Sequence, residues 1–393
     1  MLTHRRYPLR MLRVLTLSTL YPDATRPNFG VFVERQTRGL ADLPDTNVTV
    51  VAPVGLPPWP LRRASHRTLA SLPQEESWHG LAVHRHRFPA LPATQGRFHA
   101  ALLARAIAPV LDRLAFDVID ASFFFPDGPA AVALGRRYGV PVSVKARGAD
   151  IHHWGRVRRA QVLAAGRGAD GLLAVSDAMR GDMVALGLPA ERIHVHRTGI
   201  DHDRFHPADR AEAKVALGVR GPVVVSLGAL IPRKGHAIVL DAIAALPGVT
   251  LLIAGEGPDR AALQAQADRL GIADRVRLLG AVPHAELPTL IAAADVMALA
   301  SSSEGLANAW VEALACGTPI VIPDAGGARE VVTTLVAGRI VARTASAFAA
   351  AIADLLAHAP APAEVARAAD PFSWDRNARE LRAHLASLVA RRA

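Results

Sequence analysis

Short runs of aliphatic and β-branched residues alternate along this chain with stretches whose apolar positions recur every three to four residues. "RVLTLS", "NVTVVAP", "FDVIDAS", "VPVSVKA" and "ADGLLAVS" read as strands, with helices such as "GPAAVALGRRYG" between them. Strand, helix and strand in succession predict a parallel sheet with crossover helices. The pattern starts afresh at "GPVVVSLGAL" and runs through "GVTLLIAGEG", "DRVRLLG", "ADVMALA", "TPIVIP" and "GRIVA". The intervening helices are "KGHAIVLDAIAAL", "DRAALQAQADRLG", "HAELPTLIAAA" and "EGLANAWVEALACG".

The fold class expected is therefore α/β, with two Rossmann-like, doubly wound parallel-sheet domains. Domains are expected over 1–200 and 201–371. The linker falls near Thr198–Gly221, where Pro, Asp and His replace the apolar period. Pro53–Gly80 reads as a long Pro-rich loop. The last segment, 372–393, is an amphipathic helix with a basic end, expected to pack back on the first domain. Met11 opens the first strand, so the residues before it read as an upstream start or a flexible arm. Two such sheets are expected to leave a cleft, with ligands outside the carboxyl ends of the strands.

The 393 residues are 51% hydrophobic and 20% charged, enough apolar material for large cores and too much for disorder. The single cysteine, Cys316, excludes an internal disulfide framework and a cysteine-cluster metal site. No apolar run reaches transmembrane length, and the basic start lacks the apolar core and cleavage site of a secretory signal. A cytoplasmic protein is expected, with peripheral contact at the inner face of the plasma membrane. The net charge is +10, and lysine occurs only at Lys145, Lys214 and Lys234 among 45 basic residues. Such a surface attracts anions. No zinc-finger spacing, aromatic RNA-binding signature or long basic run accompanies it, so nucleic acid is not the expected partner.

The densest chemistry is in "SSSEGLANAWVEALACGTPIVIPDAGGAREVV". Glu304 is expected to open a helix, with Glu312 eight residues further on. Helical geometry turns that spacing into about 80° beyond two full turns and a rise of ~12 Å, so both carboxylates face one ligand. The turn from Gly305 through Leu306 and Ala307 to Asn308 is expected to offer main-chain N–H groups at a helix start to an anion or hydroxyl oxygens. Lys234 follows a strand and starts a helix, a place for an ammonium beside a diphosphate. Gly30 lies in the long turn after the first strand, where backbone approaches substrate. Asp201, His202 and Asp203 form a weak metal-like cluster that reads better as linker. The alternating pairs His84 with His86, and His194 with His196, lack a third ligand and read as strand histidines.

"EGLANAWVEALACGTPIVIPDAGGAREVV", with "SLGALIPRKGHAIVLDAIAAL", "LLIAGEGPDRAAL" and "TGIDHDRFHP", resembles the family-4 retaining glycosyltransferases of the GT-B fold. "YPDATRPNFGVFVERQTRGLADL" and "FPDGPAAVALGRRYGVPVSVKARGADIHHW" resemble its bacterial teichuronic-acid and exopolysaccharide branch. The resemblance implies a nucleotide-diphospho-sugar donor on the second half and a glycan or lipid-linked acceptor on the first. UDP-sugars are favoured over GDP-sugars, and neither a cofactor nor a metal is implied. Glu304 would then contact the transferred sugar, Glu312 the ribose, and Gly305 to Asn308 the sugar and phosphates. Lys234, with Arg233, would neutralise the leaving diphosphate, and the halves would close to exclude water.

Two positions depart from the family pattern. Ala229 stands where many members have Arg, which Arg233 compensates. Arg147 stands where many have a donor-facing His. Arg147 with Asp150 reads either as a phosphate or acceptor contact or as a core-edge pair. Glu256 reads either as a cleft-facing acid or as a turn acid. A nucleotide-sugar epimerase of the same fold, and a non-catalytic sugar-nucleotide-binding partner, are the alternative readings.

Overall fold

The computed structural model describes residues 11–392, so the stretch ahead of Met11 lies outside the described residues. Two compact units divide the chain. One holds the described residues through Thr198 together with the helix beginning at Trp374, and the other is Gly199–Ser373.

The strands of the first unit are β1 (Leu12–Leu17), β2 (Thr46–Val51), β3 (Val54–Leu56), β4 (Glu75–Trp78), β5 (Leu81–His84), β6 (Arg87–Pro89), β7 (Val118–Ala121), β8 (Val142–Ala146), β9 (Gly171–Ala174) and β10 (Ile193–Val195). Eight of them form one sheet in the order β10-β9-β8-β7-β1-β2-β5-β4, parallel except for the β4–β5 hairpin. β3 and β6 make a separate parallel pair. Every residue of β7, β8 and β9 is buried, as strands covered on both faces must be. From β1 the chain first builds outward through β2 and then returns to add β7 on the other side. The switch point therefore lies at the carboxyl ends of β1 and β7.

The helix Trp374–Arg392 covers one face of this sheet. Its Leu381, Leu385 and Leu388, spaced on one stripe, join Leu12, Val14, Leu40, Val48, Val118 and Leu173 in a single apolar cluster. Polar ties fix its register: His384 Nε2 pairs with Ser143 Oγ at 3.0 Å, and Arg382 Nε donates to Thr46 Oγ1 at 2.9 Å.

The second unit carries β11 (Val223–Leu227), β12 (Thr250–Ala254), β13 (Val276–Gly280), β14 (Val296–Ala298), β15 (Ile320–Pro323) and β16 (Gly338–Val341). They form one parallel sheet in the order β13-β12-β11-β14-β15-β16. β11 and β14 are neighbours although three α-helices and two strands separate them in sequence. The turn after β11 and the turn after β14 thus meet at this sheet's switch point.

Two expectations are corrected. Pro53–Gly80 is not one long loop: β3, a helix at Ala64–Ala70 and β4 occupy it. Elements of three to seven residues are too short to display a hydrophobic period, and the prolines mask them. The Thr198–Gly221 linker likewise contains a helix, Arg210–Ala216, capped by Asp209 Oδ1, which accepts from the Ala211 and Glu212 N–H groups. Only Ala213 of that helix is buried, so its apolar signal is weak.

Candidate functional site

The turn after β11 tightens into a single 3₁₀ turn at Pro232–Lys234, and a helix follows at His236–Ala244. Gly235 joins them at φ +70°, where a Cβ would lie 2.1 Å from the Ala300 carbonyl oxygen. That close approach seats the turn against the strand end of β14. The Ser302 N–H donates to the Arg233 carbonyl at 2.8 Å, closing the two turns on each other.

This arrangement brings three of the expected residues together. Lys234 Nζ donates to Glu304 Oε1 at 2.5 Å, and Arg233 Nη1 lies 3.5 Å from the same oxygen while donating to the Ser303 carbonyl. Glu304 is only 9% exposed. Two cations around one carboxylate leave one unit of positive charge at the strand ends, which suits a polyanion.

Glu304 does not open a helix. The helix runs from Asn308 to Ala315, and Ala307 before it is extended at φ −74°, ψ 120°. The helical projection from Glu304 to Glu312 therefore does not hold. The reason is tertiary: the Gly327 N–H donates to the Gly305 carbonyl at 2.8 Å, and Gly326 packs on the Glu304 backbone, holding 304–307 out of the helix. Leu306 and Ala307 are buried in this segment.

Glu312 sits on the helix Asn308–Ala315, where His284 Nε2 meets its Oε1 at 3.1 Å. Arg204 Nη1 lies 3.3 Å from His284 Nδ1, and the Phe205 ring packs edge-on at 5.2 Å. Arginine can only donate, so Nδ1 accepts and Nε2–H donates to Glu312. Glu256 is exposed in the turn after β12, its carbonyl accepting from the Leu230 N–H.

In the first unit, Gly30 caps the helix Val31–Ala41 at φ +71°. A Cβ there would lie 2.6 Å from the Leu20 carbonyl carbon and oxygen, so the helix start is seated on the turn after β1. Arg147 follows β8. Its Nε donates to the Ser122 carbonyl at 2.7 Å, Nη2 to Gln36 Oε1 at 3.1 Å, and its guanidinium lies 4.8 Å over the Phe32 ring. Asp150 is fully buried and accepts the main-chain N–H groups of Phe124, Arg147 and Gly148. The expected Arg147–Asp150 pairing is thus through the Arg147 backbone, and the guanidinium turns elsewhere. Burial pulls the Arg147 guanidinium down to about 10 against the opposing charges of Asp120 and Asp150. Burial also raises the Asp150 carboxyl, although its N–H donors oppose this.

Behind Arg147 lies a polar chain that sequence reading missed. Gln36 Oε1 also accepts from Lys145 Nζ at 2.9 Å, Lys145 Nζ donates to His196 Nδ1 at 2.8 Å, and His196 Nε2 donates to the Asn377 carbonyl at 2.8 Å. Burial depresses Lys145 and His196 strongly, and raises the neighbouring Asp120 to about 6. The rarity of lysine was the one sequence signal for Lys145. Nothing local pointed to Gln36, or to His284 and Arg204 around Glu312.

The other weak signals resolve as structure. His202 Nε2 bonds the Phe372 carbonyl at 2.8 Å. Cys316 is buried, its thiol pushed up to about 12 by burial and then by Glu312. Among the described residues no group of three or more His, Cys, Asp or Glu is placed to hold a metal, and no helix is long and apolar enough to cross a membrane.

Two Rossmann-like units with these strand-end turns define the GT-B fold. The chain resembles solved structures of that architecture over 96% of its length. Sucrose-phosphate synthase from Thermosynechococcus elongatus superposes with TM-score 0.83 at 19% identity, over 99% of that chain. HepE from Anabaena, in complex with UDP and glucose, gives 0.74 at 22% identity over 100% of that chain. Residues 30–204 match the family Glycosyltransferase Family 4, and residues 208–370 match Glycosyl transferases group 1. Each half of the chain thus matches one glycosyltransferase family model, and the two together span residues 30–370.

D-inositol 3-phosphate glycosyltransferases of Mycobacterium tuberculosis and Mycobacterium bovis are 39% identical to it over 227 residues, 53% of this chain and 46% of theirs. The matched region thus spans about half the length of these relatives.

Proposed function

We propose that this protein is a retaining glycosyltransferase that moves a sugar from a nucleotide-diphospho-sugar to a glycan or lipid-linked acceptor in cell-surface or exopolysaccharide synthesis. The observation that carries this reading is the Lys234–Glu304 contact at 2.5 Å with Arg233 at 3.5 Å, at the carboxyl ends of adjacent β11 and β14. A UDP-sugar is the favoured donor, supported by the HepE structures that hold UDP and UDP-glucose. A GDP-sugar would use the same groups.

In this mechanism the donor diphosphate takes the Lys234 ammonium and Arg233 guanidinium, freeing Glu304 to accept hydroxyls of the sugar. As the glycosidic bond to the phosphate breaks, negative charge grows on the leaving oxygen, and the two cations stabilise it more in the transition state than in the ground state. They supply the charge that a metal would otherwise supply, so no cofactor is required. The Gly305–Asn308 N–H groups add donors to sugar and phosphate. Glu312, aimed by His284, accepts the ribose hydroxyls. Arg147, held by Gln36 and Ser122, reads an anionic or hydroxylated part of the acceptor, and Asp150 fixes the turn that carries it.

The purified chain, given UDP-glucose and a panel of sugar acceptors, should release UDP and form a product whose anomeric proton coupling matches the donor's. Glu304→Gln should abolish this. An inverted product would overturn retention. Conversion of the donor without an acceptor would support an epimerase instead. An intact donor across a full panel of UDP- and GDP-sugars would sink the transferase reading.

A further inference from the structure

Trp59 is 82% exposed and Leu61 57% exposed, while the other four tryptophans are buried or half-buried. Both follow β3. Phe98, 44% exposed, follows β6. β3 and β6 are parallel and paired from Val54–Arg87 to Leu56–Pro89, and the Ala90 N–H donates to the Leu56 carbonyl. Chain leaving two parallel neighbours emerges at the same end, so the segments that begin at Pro57 and Ala90 leave β3 and β6 together at one end of this pair.

The charge on these segments has one sign. Arg62, Arg63, Arg67 and Arg97 are exposed, and neither 57–71 nor 90–98 contains an Asp or Glu. The platform is braced from below. Leu69 and Ala70, on the short helix after Arg63, pack on Val54, Leu56 and Leu72, which leaves Arg62, Arg63 and Arg67 outward. On the other segment Arg158 donates to the Thr94 and Gln95 carbonyls.

We propose that this edge is a docking surface for an anionic lipid bilayer, with Trp59, Leu61 and Phe98 entering the headgroup region and the arginines against the acidic headgroups. Exposed large apolar side chains ringed by cations match the interface of a bilayer, where indole and phenyl rings sit at headgroup depth. An acidic protein would satisfy the arginines but would not require a tryptophan standing free in water. The surface lies apart from Lys234, Glu304 and Glu312 in sequence and unit, so its test is independent of the donor chemistry.

The full chain is co-sedimented with vesicles of phosphatidylcholine alone and of an equal mixture of phosphatidylcholine and phosphatidylglycerol. Each arginine near an acidic surface contributes a factor of about five to partitioning. Arg62→Glu, Arg63→Glu and Arg67→Glu together should therefore weaken binding to the acidic vesicles by about a hundredfold or more. Trp59→Ala with Leu61→Ala should weaken it by about tenfold. A charge-matched control, Arg113→Glu, Arg180→Glu and Arg269→Glu at exposed positions, should bind nearly as the wild type does. Circular dichroism checks that each variant is folded. Tryptophan emission should shift to the blue on acidic vesicles, and Trp59→Phe should remove that shift. Equal binding to neutral vesicles, unaltered binding by the arginine variant, an equal loss in the control, or a blue shift that survives Trp59→Phe would each overturn the proposal. So would loss of self-association in the arginine variant with no vesicle binding by the wild type, which would assign the edge to a second copy of the chain.

Discussion

Gly326 offers a sharp test of how the Glu304 turn is built. It adopts φ +53°, and a Cβ at this position would stand 2.2 Å from the Glu304 carbonyl oxygen and 2.7 Å from the Glu304 carbonyl carbon and the Gly305 oxygen. Carbon and oxygen tolerate about 3.3 Å, so Gly326→Ala must drive the two backbones roughly 1 Å apart. Neither neighbour is a flexible side-chain end that can swing away. The left-handed conformation costs about 1–2 kcal/mol with a Cβ present. Overpacking adds about 1–3 kcal/mol.

The larger effect should be on turnover, since a displacement of about 1 Å at a catalytic group can cost on the order of a hundredfold. Gly139→Ala is the matched control: φ is +69°, but nothing lies within 4 Å of the added Cβ. It should lose only the conformational cost and no activity. Denaturant melts and donor consumption on both variants separate the two effects. If Gly326→Ala turned over donor at the wild-type rate, with a stability loss no greater than Gly139→Ala, the packing argument for Glu304 would be wrong.

Other consequences follow from the same geometry. His284→Ala removes a charge-assisted bond to Glu312, in a class valued at about 1.5–3 kcal/mol, and should raise the donor KM by about tenfold with kcat little changed. A fall in kcat with KM constant would assign His284 another role. Burial, with the Lys234 charge, depresses His236 from 6.5 to about 4, outweighing the Ala229 and Gly228 backbone bonds that raise it. The fold thus prefers the neutral ring. The stability it contributes is complete above pH 6.5 and is lost as pH falls towards 4, a change of about 3 kcal/mol at ~1.4 kcal/mol per pH unit. His236→Asn should flatten the Tm-against-pH curve across that window, and an unaltered slope would show that His236 does not titrate there. Arg147→Lys keeps the charge but loses the fork that reaches both Ser122 and Gln36, so it should raise the acceptor KM while leaving donor binding intact.

What the sequence made legible follows physical rules. Continuous apolar runs such as "VVVSL" and "TLLIA" announce strands buried on both faces, and the second sheet and the five central strands of the first were readable from them. β3, β6 and the helix Ala64–Ala70 were not, because three to seven residues carry no period. Lys234 and Glu304 were legible as strand-end residues, and the switch point explains why they meet. The start of the helix at Asn308 was not, because Gly326 and Gly327, some twenty residues later, hold Glu304 in an extended turn. His284, 28 residues from Glu312, and Gln36, 111 residues from Arg147, act through contacts that only the folded chain creates.

The central claim is that the Lys234, Arg233 and Glu304 turn grips the diphosphate of a nucleotide sugar. Calorimetric titration of UDP, and in parallel GDP, into the full chain and its Lys234→Ala variant tests it most directly. Removing the ammonium deletes a charge-assisted contact and leaves Glu304 less compensated, so affinity should fall by about ten- to a hundredfold. Equal dissociation constants for the two proteins would contradict the account.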